Sequence, residues 1–111
     1  MPVVTCLLSA VPEGLDADAV VRAWSSHTGI ASDDMTINFV PTHQGGRSYG
    51  AMAWLHIPSF WSDGEGRRLA DGLASALVEC LALTPTDVLV VTTIVQPALI
   101  FDPGLGSNRD R

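Results

Sequence analysis

Two stretches of this chain read alike, 53 residues apart: Ile30-Ala31-Ser32-Asp33-Asp34-Met35 and Leu83-Thr84-Pro85-Thr86-Asp87-Val88. Each leads out of a helical pattern, through a polar turn, into an apolar run. Around them the order is strand, helix, strand, polar connection, strand, helix, strand, which is a βαβ unit written twice. Within each unit the crossover is expected to be right-handed and the two strands parallel. Two such units side by side give a four-stranded sheet with both helices on one face. The expected class is therefore α+β, in one domain over residues 1–111, with pseudo-repeats at 2–41 and 50–95 and a flexible tail from about 105 to 111. The strand starts at Pro2 and Ala51 are offset by 49 residues rather than 53, which predicts a second helix one turn longer than the first.

The local signals agree with that order. Val3 to Leu8 is apolar on both faces, as a central strand is. Asp16 caps a helix from about Ala17, with Ala17, Val20, Val21 and Trp24 on one face and Gly29 ending it. His27 borders that face and is expected to serve the helix end rather than catalysis. Met35 to Val40 reads as a second strand stopped by Pro41, and Tyr49 to Ile57 as a third stopped by Pro58. Between them, residues 42–48 carry two glycines and form the expected mobile loop. Ser62-Asp63-Gly64-Glu65 is a capping-box pattern. The helix behind it has Leu69, Leu73, Ala76, Leu77, Cys80 and Leu81 on one stripe. Val88 to Val95 is a β run too apolar for a sheet with a wet face, and residues 96–106 are irregular.

Composition narrows the partners. The chain is 47% hydrophobic and 16% charged, which is apolar for 111 residues. Strands apolar on both sides leave one sheet face to be covered, and other subunits are the simplest cover. The net charge is −6, and the six basic residues are all Arg without a run or stripe, so no nucleic-acid partner is expected. Cys6 and Cys80 sit in apolar patterns and read as buried free thiols. Met1 to Ala10 lacks a basic start and a cleavage-site pattern, and no apolar run approaches the roughly 18 residues of a membrane span, so a cytoplasmic protein is expected. No CxxC, HExxH, GxGxxG or P-loop occurs, so no metal or other cofactor is expected.

The candidate chemistry lies at the start of the chain. Proline is tolerated as the first residue of a strand. If Met1 is removed, Pro2 becomes the N-terminus and its ring nitrogen a secondary amine able to take up and release a proton. Burial disfavours the protonated form and draws its pKa towards neutrality, where a general base works best. The plain alternative is that Met-Pro is an ordinary way for a protein to begin.

A doubled βαβ unit with Pro directly after Met resembles the tautomerase superfamily, the group of 4-oxalocrotonate tautomerase and macrophage migration inhibitory factor. The resemblance covers about residues 2–104. It is carried by Pro2, by Leu55-His56-Ile57 leading to Ser62-Asp63-Gly64-Glu65, and by Leu81-Ala82-Leu83-Thr84-Pro85-Thr86-Asp87-Val88. It implies a homotrimer whose subunits cover each other's bare sheet face, with Pro2 as the catalytic residue. The family also holds substrate carboxylates with arginine, whose planar fork accepts them in two hydrogen bonds. Here the sequence departs. Ser59, Phe60 and Trp61 stand in the turn where the family often places Arg, and Thr36 and Leu89 where the core offers another. Arg47 is the nearest candidate. The pocket is expected to be aromatic, with Tyr49, Trp61 and Phe101 binding substrate beside Arg47 and with Trp54 either joining them or filling the core.

The resemblance implies a keto–enol tautomerase acting on a small carbonyl compound, with neutral Pro2 moving a proton alpha to the carbonyl. Two alternatives stand beside it. One uses protonated Pro2 as an acid in hydration, decarboxylation or dehalogenation. The other is a binding module of the same fold, non-catalytic or biosynthetic.

Overall fold

The computed structural model describes residues 1–103; the tail expected at about 105–111 lies outside the described residues. The strands are β1 (Val3–Leu8), β2 (Thr36–Pro41), β3 (Ala51–Pro58) and β4 (Val88–Val95), and the helices are α1 (Ala17–Thr28) and α2 (Asp63–Leu81). Three 3-10 turns, Ser32–Asp34, Pro85–Asp87 and Pro97–Leu99, lead into β2, into β4 and out of β4. The sheet order is β2-β1-β3-β4. β1 and β2 run parallel, as do β3 and β4, and the two pairs meet antiparallel at β1 and β3.

Both helices start and stop where the side chains dictate. Asp16 Oδ1 accepts the Ala19 N–H at 3.2 Å, and Gly29 ends α1 in left-handed backbone. At α2 the Glu65 N–H donates to Ser62 Oγ at 3.1 Å while the Ser62 N–H donates to Glu65 Oε1 at 3.0 Å. The bond from the Ser62 backbone, followed by that with its side chain, holds the Glu65 carboxyl below the usual carboxylate range.

Period-two alternation sorts the strands into a buried and an open face. Val4, Cys6 and Leu8 of β1 and Ala51, Ala53, Leu55 and Ile57 of β3 point to the helices and are buried. Trp24 of α1 and Leu69, Leu73 and Leu77 of α2 meet them, each adding about 1.5–3 kcal/mol through buried side-chain area. The Trp24 indole N–H donates to the Leu69 carbonyl at 2.9 Å, tying α1 to α2 inside the core. His27 Nε2 and Glu79 Oε1 meet at 2.9 Å on the outer side of the same helix pair. The opposite face of the sheet carries Val3, Thr5, Leu7, Met52, Trp54, Leu89 and Val91, and no element of the chain among the described residues lies over it.

Several expectations need correction. α2 has 19 residues against 12 in α1, two turns longer rather than one, because α2 begins only four residues after β3 while Ser9 to Asp16 separate α1 from β1. Pro41 and Pro58 do not stop their strands but are the last residues of β2 and β3, and β3 starts at Ala51 rather than Tyr49; Pro41 lies opposite Leu8 on the outer strand, where its missing N–H is not needed by a further neighbour. Trp54 alternates out of the core onto the open face. Cys80 is exposed beside the connection carrying Pro12 to Leu15, whereas Cys6 is buried and free.

Candidate functional site

The sheet has two ends, and the topology assigns the candidate residues between them. β1 and β2 begin, and β3 and β4 finish, at the same end. That end holds Pro2, the 3-10 turn at Ser32–Asp34, the turn from Ser59 to Ser62, and the segment after β4 that carries Phe101. The other end holds residues 42–50 with Arg47 and Tyr49. Between them runs the length of β1, about 17 Å for six residues at roughly 3.3 Å per step.

Pro2 is fully buried on the line of the core-facing residues Val4 and Cys6. Its carbonyl accepts the Thr36 N–H at 3.1 Å, which fixes it against the start of β2. Met1 stands above it, with its ammonium nitrogen 3.6 Å from Asp34 Oδ2. The Asp34 backbone is held in turn: its N–H donates to the Ala31 carbonyl at 3.1 Å, and Met35 beside it is buried. Sequence reasoning placed Asp34 in a turn and gave it no part in the site. The available signal was the parallel pairing of the first two strands, which puts the residues before β2 beside the residues before β1.

Trp61 and Phe101 lie at the Pro2 end. Trp61 packs on the core, and its Nε1 is buried with no hydrogen-bond partner among the described residues. Phe60 stacks on it, with ring centroids 6.4 Å apart. Phe60 is 56% exposed, Ile94 54%, Leu99 76% and Phe101 80%, so this end presents an apolar surface. Phe60 entered the sequence reading only as a position lacking Arg, and Ile94 and Leu99 as no part of a site, although the parallel pairing expected of the third and fourth strands puts the segments after both at one end.

Arg47 and Tyr49 are not brought to Pro2 within one subunit. The Arg47 guanidinium donates to the Thr86 carbonyl at 3.1 Å and lies 4.7 Å over the Tyr49 ring. Gln44 pins the loop from both sides, accepting the Tyr49 N–H at 2.7 Å and donating to the Tyr49 carbonyl at 2.9 Å. The Gly50 N–H donates to Asp87 Oδ1 at 3.1 Å. The stretch expected to be mobile is thus tied to itself and to the turn before β4. Among the described residues, no helix is long and apolar enough to cross a membrane.

No protein-family model and no curated protein matches the sequence. Solved structures do match. A wild-type fused 4-OT in the form of an asymmetric trimer superposes with a TM-score of 0.71 at 13% identity, over 92% of this chain and 93% of that one. A member of the cis-3-chloroacrylic acid dehalogenase family gives a TM-score of 0.64 at 15% identity, over 92% and 80%. Macrophage migration inhibitory factor of Toxoplasma gondii gives 0.57 at 16% identity, over 91% and 94%. The strand order, the single helical layer and these superpositions agree: this chain has the fold of the tautomerase superfamily.

Proposed function

We propose that the chain is an enzyme of the tautomerase superfamily that moves a proton on a small carbonyl compound, with Pro2 as general base once Met1 has been removed. The observation that carries this reading is the place of Pro2. Its ring is buried at the start of a central strand, at the end of the sheet where Trp61 and the exposed rings of Phe60 and Phe101 gather. Apolar surroundings disfavour the prolyl ammonium and leave the neutral amine available near pH 7. The proton passes to the ring nitrogen from the carbon alpha to the carbonyl and returns at another position, while hydrogen-bond donors steady the enolate oxygen.

The open sheet face supports a homotrimer, the form in which one structural neighbour was solved. In a head-to-tail ring of subunits, the Arg47–Tyr49 end of one copy completes the pocket at the Pro2 end of the next, beside Trp61 and Phe101. The test is ketonisation of phenylenolpyruvate by Pro2→Ala. Turnover should fall at least about a hundredfold, within the usual range for general-base catalysis. Undiminished turnover rejects the reading.

One observation favours a second reading, a binding module without catalysis. Arg47 already has a carbonyl and a ring as partners in its own subunit, so the arginine that would hold a substrate carboxylate is engaged elsewhere. Intact-mass measurement discriminates: a retained Met1 makes the Pro2 nitrogen an amide, which favours the binding module.

A further inference from the structure

Asp34 faces the one ammonium group at the Pro2 end of the sheet, and both sides of that pair are anchored. Pro2 is buried and bonded through its carbonyl to Thr36, two residues beyond Asp34. The Asp34 turn is closed by the bonds from Asp34 to Ala31 and from Met35 to Ser32. Consecutive backbone nitrogens lie about 3–4 Å apart. When Met1 is removed, the new amine of Pro2 therefore lies within that distance of the point where the Met1 nitrogen stood, 3.6 Å from the carboxylate.

We infer that Asp34 is a positioning residue for the Pro2 amine: it holds the ring nitrogen in orientation and stabilises its protonated form after proton abstraction. It acts through Pro2 rather than on substrate. Two opposing influences then set the proton affinity of Pro2. Burial favours the neutral amine, and the carboxylate favours the cation. The remaining charged or titratable groups of the elements at this end are Asp33 beside Asp34, His56 opposite Val3 on β3, Asp63, Glu65, Arg67 and Arg68 in the first turns of α2, and Asp102 beyond β4; Arg67 shares a cavity with Ser62, Asp63 and Ile94. His56, Arg67 and Arg68 apart, these are carboxylates, and Thr36 on β2 is uncharged.

The inference rests on the reading of Pro2 as a free amine, and the test separates the two. In protein lacking Met1, the Pro2 amine is titrated by NMR of the ring nitrogen, and kcat/KM for phenylenolpyruvate is measured against pH. Asp34→Asn should lower the midpoint of both titrations by about half a pH unit or more, while Asp34→Glu should keep it within a few tenths. A structural role alone would reduce kcat at every pH and leave the midpoint in place. If the Asn variant does not fold, the parent protein serves: raising salt from about 20 mM to about 0.5 M screens the pair and should lower the NMR midpoint. A midpoint unmoved or raised by Asp34→Asn, or unmoved by salt, overturns the inference. Undiminished turnover in Pro2→Ala rejects the enzyme but leaves the NMR midpoint to decide on Asp34.

Discussion

Gly29 and Ala82 occupy the same place in the two halves of the chain, 53 residues apart: each follows its helix in left-handed backbone, at φ 77° and 54°. The N–H of Gly29 donates to the Ser25 carbonyl, and that of Ala82 to the Val78 carbonyl, so the two ends share this closing bond; the next N–H differs, Ile30 donating to Thr28 Oγ1 and Leu83 to the Val78 carbonyl. Glycine takes this conformation freely, whereas a Cβ costs about 1–2 kcal/mol there.

The two halves therefore predict opposite outcomes. Ala82→Gly should stabilise the protein by about 0.5–1 kcal/mol, the strain relieved exceeding the entropy added to the unfolded chain. Gly29→Ala should destabilise it by about 1 kcal/mol, with open space around the new methyl and only the backbone to blame. Urea midpoints at constant slope measure both.

Gly72 makes a prediction against helix propensity. Replacing an interior helix glycine with alanine ordinarily gains up to about 1 kcal/mol. Here the added Cβ would stand 2.7 Å from Thr28 Cγ2 and 3.3 Å from His27 Cβ, at the contact of α2 with α1. Thr28 cannot swing aside cheaply, because its hydroxyl donates to the Trp24 carbonyl at 3.1 Å. Overpacking costs about 1–3 kcal/mol, so Gly72→Ala should be net destabilising by about 1 kcal/mol. Thr28→Ser, which removes the methyl and keeps the hydroxyl, should recover most of that loss in the double variant.

These particulars mark what the sequence made legible. The caps at Asp16, Gly29, Ser62 and Glu65 act within a few residues, so local chemistry alone located both helices. β1 and β4 were readable because an uncharged β run has few other uses. The strands whose bounds shifted, β2 and β3, end at prolines, and a proline cannot say whether it stops a strand or is its last residue, as Pro41 is on the outer strand and Pro58 on an inner one. The site was less legible. Alternation shows that Trp54 and Leu55 face opposite ways, but only the pairing register shows which way is covered. The separation of Arg47 from Pro2, and the meeting of Asp34 with the N-terminus, follow from which strand ends share a side of the sheet. That is a property of the topology, not of any window of residues.

The Cys6 thiol is pushed up to about 12 by burial alone. A group with a raised folded-state pKa supports the fold fully below its unfolded value, near 9 for this thiol, and that support is lost as pH rises through about 12. Each pH unit in that window corresponds to about 1.4 kcal/mol. The chain has no lysine to titrate over the same range; Cys80, whose thiol is also raised, first by partial burial and then by Glu79, adds to the alkaline loss. Cys6→Ala should lower stability at pH 7 by lost packing yet flatten its fall between about pH 9 and 12. The exposed Cys80 should react with a thiol reagent in the native state, while Cys6 should react only on unfolding.

Trp54 tests the assembly without touching the core. It lies on the open face between Thr5 and Val91, with Leu7, Met52 and Leu89 two residues along their strands. An indole left half-buried on one subunit is the kind of aromatic anchor that a subunit interface buries fully. A charge at the centre of such a contact is left without water or partner and costs several kcal/mol on association. Trp54→Glu should therefore keep the circular dichroism of the folded subunit and shift light-scattering mass from trimer towards monomer at micromolar concentration. If the neighbouring copy supplies Arg47 and Tyr49, the same variant should lose ketonisation activity in proportion to the trimer lost, and the loss should be smaller at higher protein concentration. An unchanged mass in the folded variant would mean that this face is not where subunits meet.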